Sequence, residues 1–315
     1  MPTLVSNQLL EFRRSEKLMG NHFEITVVAG DASWAEEKIE LAIAEIRRIE
    51  QLLTTFREDS QTNEINRLAG ISAVAVDKEV FELIRRSLRI SAITDGAFDI
   101  TYGSIDKRLW NFDQHMTALP DAETALAMVR LIDYRKVMLN ENDHSVMLQE
   151  KGMRIGFGGI GKGYAADMAK ALLVKEGVTS GIVNASGDLI TWGQQANGQP
   201  WTIGIAHPDN AAYAFSSLNI SNMAIATSGN YEKYAIIDGR RYSHTINPVT
   251  GLPVSGIKSV TIISPYAELA DAMATPVMVM GVKAGISLIN QVDHLACILI
   301  DDNNKIYTSN NIRLL

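Results

Sequence analysis

Apolar side chains recur at helical spacing between residues 33 and 53, where Ile39, Ala42, Ile43, Ile46, Ile49 and Leu53 share one face. Ser33 followed by Glu36 predicts a capping box at the start of that helix. Just before it, "FEITVVA" at 23–29 alternates as a strand does. A short strand is expected at 74–76, then a helix capped by Asp77 that runs to about Ile93 and stops near Gly96. A further helix is expected over 121–130, with strands near 135–139 and 145–149. From Gly163 to Glu176 the pattern is helical again, with Ala165, Met168, Ala169 and Leu172 on one face. Strand-like runs follow at 181–185, 201–205, 214–220, 233–237 and 258–263, then helices near 267–275 and 282–290 and a strand near 295–300. Helices and strands mix without a regular βαβ rhythm, and no repeat or long linker interrupts them. The pattern predicts an α+β fold, one two-lobed domain over 1–315 with residues 1–17 as an N-terminal extension.

Composition narrows the function classes. The net charge of −7 and pI near 5.4 leave no electrostatic footprint for nucleic acid. Nothing approaches eighteen consecutive apolar residues, so no membrane span is expected. "MPTLVSNQLLEFRRSEKL" lacks an apolar signal region, which as written predicts a cytoplasmic chain. The single cysteine, Cys297, lies in the apolar run "HLACILI" and reads as a core thiol; one cysteine excludes an internal disulfide or a cysteine metal cluster.

Candidate chemistry gathers in four stretches. The first is "IGFGGIGKGYAADM" at 155–168, five glycines and a lysine leading into a helix. Bare backbone and unpaired helix amides make a phosphate cradle, although a tight strand-to-helix turn has the same composition. Gly156, Gly158 and Gly161 spell G-x-G-x-x-G, and Gly156 to Lys162 spells G-x-x-x-x-G-K. Gly163 stands where a P-loop needs Ser or Thr, so any metal must be held from elsewhere; Asp188, after a strand at 179–185, is the acid a Rossmann unit would want.

The second stretch, "TDGAFDITYGS" at 94–104, reads as a turn, or as a seat for a heteroaromatic ring around Phe98. The third, 226–251, opens with "ATSGN", a turn by composition, and places His244 just before a turn at Asn247–Gly251. An isolated histidine is usually structural, but this one has Tyr, Ser and two arginines beside it and an ordinary pKa near 6.5, suited to proton transfer. The fourth, "ELADAMATPVMVMG" at 268–281, puts Asp271 and Thr275 on one side of a helix at i, i+4. On an apolar face they need a partner; a hard cation such as Mg²⁺ would serve, and helix capping by Asp271 is the alternative. Pro276 fits best if the helix starts near Leu269.

Together these stretches resemble the ApbE-type flavin transferases, the FAD:protein FMN transferases, from "LMGNHFEI" at 18–25 nearly to the C-terminus. The landmarks follow in family order: Met19-Gly20, "FREDSQTNEINRLAG" at 56–70, "GAFDIT" at 96–101, "GGIGKGYAAD" at 158–167, "SGDL" at 186–189, "TSGNYEKY" at 227–234, "YSHTINPVTG" at 242–251 and "ADAMAT" at 270–275. The resemblance implies an ApbE-like, T-fold-related domain with mixed or antiparallel sheets and flanking helices. It implies an enzyme that binds FAD and Mg²⁺, releases AMP and attaches FMN through a phosphoester to a threonine of an acceptor protein, within a D-x-x-[ST]-[GS]-A-T-like motif. Met19, Phe56, Ala97, Phe98, Asp99, Gly156 and Ser228 would then contact FAD, with Lys162 near the pyrophosphate. Asp271, Thr275 and the backbone carbonyl of Gly159 would hold Mg²⁺. His244 would activate the acceptor hydroxyl or position the phosphates, so that His244, Lys162 and Asp271 form the catalytic set. Members commonly carry Asp at the position of Gly156 and Gly at that of Ser186, and are often exported. A monomer or homodimer is expected. A Mg²⁺-dependent FAD pyrophosphatase and a non-catalytic flavin-binding protein are the competing readings.

Overall fold

Residues 10–29 form a hairpin, β1 (Leu10–Leu18) and β2 (Asn21–Ala29), paired antiparallel from Leu10↔Ala29 to Leu18↔Asn21. Its two-residue turn, Met19-Gly20, has both φ angles positive, 52° and 72°, the backbone that matches the twist of paired strands. Residues 10–17 of the expected N-terminal extension are therefore part of an edge strand of the main sheet. The computed structural model describes residues 8–207, 210–229 and 233–312. Residues 1–7 of the expected extension, and Asn230, Tyr231 and Glu232 of "TSGNYEKY", lie outside them.

The chain continues through α1 (Ala32–Leu53), α2 (Gln61–Arg67), β3 (Val74–Ala75), α3 (Lys78–Ile93) and α4 (Ala122–Val129). Then come β4 (Val137–Asn140), β5 (Ser145–Leu148), α5 (Gly161–Lys175), β6 (Gly181–Ala185), β7 (Asp188–Trp192), β8 (Trp201–His207) and β9 (Asn210–Ile220). The last part holds β10 (Ala224–Gly229), β11 (Tyr234–Ile237), β12 (Arg240–Ile246), β13 (Pro253–Ser255), β14 (Ile257–Ser264), α6 (Ala267–Ile289), β15 (Ala296–Asp301) and β16 (Ile306–Thr308). Eight strands form one antiparallel sheet in the order β1-β2-β6-β7-β10-β14-β15-β16. Smaller sheets are β11-β12-β13, β3-β5-β4 and the β8-β9 hairpin. The fold is α+β, as the mixed pattern predicts.

Period-2 alternation sorts the main sheet's side chains into two layers. Ile25, Val27, Val183, Ala226, Val260 and Ile262 join the core built with Ile39, Ile43 and Ile46 of α1, Ala165 and Ala169 of α5, and Met273 and Val277 of α6. Leu189, Ile225 and Ile263 point the other way, where Ile203, Leu218 and Ile220 of the β8-β9 hairpin cover them.

Three local expectations are revised. The α1 cap is Asp31, which accepts the Trp34 N–H at 2.7 Å, because the helix begins one residue before Ser33. "ATSG" is no turn: β10 runs through it between β7 and β14, its small residues suiting a crowded central strand. α6 does not stop before Pro276 or begin at Leu269. It starts at Ala267, carries Pro276 in its interior and kinks at Gly281, whose φ of 83° favours glycine. By length and composition α6 could cross a bilayer, with a mean hydropathy of 1.6 over its most apolar window. In this fold it packs in the core and buries Asp271.

Candidate functional site

Two helices begin against each other at the centre of the site. Asp167 of α5 accepts the Ala267 and Glu268 N–H groups at 3.0 and 2.9 Å, capping α6. Asp271 of α6 accepts the Gly163 N–H at 3.0 Å, in the first turn of α5. Each helix thus supplies the acid that satisfies the other's N-terminal amides. The contact is so close that a Cβ on Gly163 would run into the Ala267 carbonyl. Asp271 therefore caps α5 through the Gly163 N–H.

Lys162 lies between two carboxylates. Its Nζ donates to Asp188 Oδ2 and, at 3.3 Å, to Asp271 Oδ1. Burial pushes the Asp271 carboxyl up, and Asp188 adds to this, while Lys162 opposes it. Burial alone would lower the Lys162 pKa, but the two acids outweigh it and hold the ammonium well above its ordinary value. Asp188 also accepts the Thr227 N–H at 3.2 Å, tying β7 to β10. It opens β7 after a hairpin turn at Ser186-Gly187, whose φ angles are 55° and 99°. The sequence offers Asp188 as the acid of a dinucleotide fold and within the "SGDL" landmark, with no role in the expected site; the "SGD" turn is the signal for it. On the next turn of α6, Thr275 and Ser228 share a hydroxyl contact at 3.1 Å.

Two clefts meet at the glycine loop, both lined by Gly156 and Gly158. One, of about 440 Å³, also holds Ala97, Phe98, Gly159, His244 and Thr275. The other, of about 650 Å³, holds Met19, Phe56, Arg57 and Lys162. Gly159 leaves room for the Phe98 ring, which would stand 3.5 Å from an added Cβ there. Asp99 lines the first cleft but spends its carboxylate on the Thr101 and Tyr134 N–H groups at 2.7 and 2.9 Å and the Thr101 hydroxyl at 2.6 Å. Burial pushes this carboxyl up and those donors pull it back. Phe56, 98% exposed, stands at the mouth of the second cleft. The Met19 methyl would lie 3.6 Å from a Cβ at Gly161.

His244 lies on β12, with Nδ1 3.3 Å from the Lys233 carbonyl and its ring edge-on to Phe112. With the proton on Nδ1, that contact leaves Nε2 free to accept a proton. Desolvation lowers the imidazole pKa, partly offset by the Lys233 carbonyl.

Of the site residues expected from the sequence, Ala97, Phe98, Asp99, Gly159, His244 and Thr275 line the first cleft, Met19, Phe56 and Lys162 the second and Gly156 both. Ser228 and Asp271 line neither and touch Thr275 and Lys162. Asp271, Thr275 and the Gly159 backbone are all oxygen donors, a set suited to Mg²⁺, and Asp271 is buried on an apolar helix. Among the described residues no group of three or more His, Cys, Asp or Glu forms an alternative metal cluster.

A sequence model of the ApbE family matches residues 19–299. An FAD:protein FMN transferase of Klebsiella pneumoniae is 34% identical over 302 residues, covering 95% of this chain and 92% of the relative. One of Escherichia coli is 33% identical over 271 residues, covering 84% and 77%. Among solved structures, the ApbE protein of Thermotoga maritima superposes with a TM-score of 0.83 at 29% identity, covering 95% of this chain and 97% of the other. The Pseudomonas stutzeri flavinyl transferase ApbE, in its apo form, gives 0.82 at 28% identity, covering 98% and 96%.

Proposed function

The chain belongs to the ApbE family, and on that premise we propose that it transfers FMN from FAD to a threonine hydroxyl of an acceptor protein, releasing AMP in a Mg²⁺-dependent reaction. The observation that carries this reading is the junction of two clefts at Gly156 and Gly158, with Lys162 and Thr275 on either side. FAD is two ring systems joined by a pyrophosphate. Each cleft is of the size that takes one ring system, and the junction offers loop amides and an ammonium for the phosphates.

Asp271, Thr275 and the Gly159 carbonyl would hold Mg²⁺, whose charge would stabilise the phosphoryl oxygens. The chain's own groups carry the rest. The threonine Oγ attacks the FMN phosphorus, the bond to the bridging oxygen breaks, and AMP leaves with that oxygen. His244 Nε2 takes the hydroxyl proton, and Lys162 with the loop amides supports the developing charge.

The test is AMP release from FAD, with and without Mg²⁺, in the presence of a peptide bearing the acceptor motif. Metal-dependent AMP with a flavin-labelled peptide is the expected result. Metal-dependent AMP with free FMN and no label would make the protein a pyrophosphatase, and FAD bound but unchanged would make it a binding protein.

A further inference from the structure

Lys162 reaches the carboxylate that the proposed function gives to the metal. Asp271 Oδ1 takes the ammonium at 3.3 Å and Oδ2 takes the Gly163 N–H at 3.0 Å. A divalent cation and this ammonium cannot share one buried carboxylate without repulsion. The same ammonium has a second anchor in Asp188, which it contacts more closely. Asp188 is itself fixed, by the Thr227 N–H and by the hairpin turn that begins β7. Moving from a shared position to Asp188 alone would leave Lys162 paired throughout.

We infer that Lys162 is the resident counter-cation of Asp271, that it competes with the divalent cation for this carboxylate, and that Asp188 retains the ammonium when it yields. The inference rests on the metal assignment made under the proposed function. It extends the role of Lys162 from binding phosphate to gating metal entry, and gives Asp188 the role of a positioning residue. It also couples the two ligands. A pyrophosphate near Lys162 draws the ammonium off Asp271, so FAD strengthens metal binding beyond what its own oxygens contribute, and the metal strengthens FAD binding by the same factor.

The probe is Mn²⁺ alone, titrated calorimetrically into the full chain without FAD, with folding checked by circular dichroism. Lys162→Gln should bind Mn²⁺ at least about tenfold more tightly than the wild type. Lys162→Arg, which keeps the charge, should bind as weakly as the wild type. Asp188→Asn, which leaves the ammonium only Asp271, should bind more weakly. Adding FAD should tighten Mn²⁺ binding by a larger factor in the wild type than in Lys162→Gln. A folded Lys162→Gln chain with wild-type Mn²⁺ affinity overturns the inference, as does an Asp188→Asn chain with unchanged affinity or a failure of all four chains to bind Mn²⁺. AMP release measured on the same samples separates the two readings. A wild type that turns over FAD while Lys162→Gln shows no tightening sinks the gating role alone. Tightening in Lys162→Gln with no AMP from the wild type sinks the transferase and supports the gating.

Discussion

His244 is where burial and chemistry meet in a single side chain. Desolvation lowers its pKa, so the proton-accepting form persists below the ordinary value of about 6.5. FAD turnover should stay level as pH falls through 6.5 and decline only below it; a decline that begins above 6.5 would remove His244 as the base. The sign for stability follows from the same shift. Between its lowered pKa and 6.5 the folded chain binds fewer protons at His244 than the unfolded chain, so stability drops as pH falls through that window. His244→Gln should abolish that component in urea titrations at pH 7 and 5.5, and lower kcat about 10²–10⁴-fold with little change in KM for FAD. Asp271→Asn keeps the shape of the side chain and should cost at least about 100-fold in Mg²⁺-dependent turnover, measured as AMP release. At Gly156 an added Cβ would meet only the Thr55 methyl, at 3.9 Å. Gly156→Asp, which restores the common residue of the family, should therefore fold with an unchanged melting temperature and act on the KM for FAD. A collapse in melting temperature would show the position to be sterically closed.

The paired starts of α5 and α6 are the element on which the site depends. Asp167→Ala removes the cap of α6 and should destabilise the chain by about 0.5–2 kcal/mol in denaturant unfolding. Gly163→Ala drives a methyl into the Ala267 carbonyl and should cost about 1–3 kcal/mol, and it should also loosen Mn²⁺ binding, because Asp271 rides on the displaced helix. At this scale the sequence was legible where one residue's periodicity decided the outcome, as in α1, α3 and α5. It was not legible where a distant partner did. "ATSG" has turn composition, but pairing with β7 and β14 makes it a central strand. Pro276 reads as a break, yet packing in the core holds the helix together and the kink falls at Gly281. Asp188 looked like the end of a dinucleotide strand because its partner, Lys162, lies 26 residues earlier in the chain.

For the whole molecule, the two-layer cover of the main sheet makes a plain prediction. Cys297 is fully buried on β15, and burial pushes its thiol up to about 11. A thiol reagent should label it only as the chain unfolds, and labelling of the native protein at the rate of an exposed thiol would contradict the packing described. The α+β class, the core helices and the four chemical stretches could be read in one dimension, since each is a local pattern. The sheet order could not, since β2 pairs with β6 and β10 with β14 across long intervals.

The reciprocal caps have a consequence for how the protein comes into being. Gly163 and Asp271 are separated by 108 positions, and Asp167 and Ala267 by 100. A chain leaving the ribosome exposes its complete glycine loop long before the acid that will close it has been made, so the candidate site is among the last features to exist. Contacts of such long range also slow folding. In a refolding experiment the burial of tryptophan should run ahead of the recovery of Mn²⁺ binding, and a nascent chain arrested before α6 should be shaped in part yet inert.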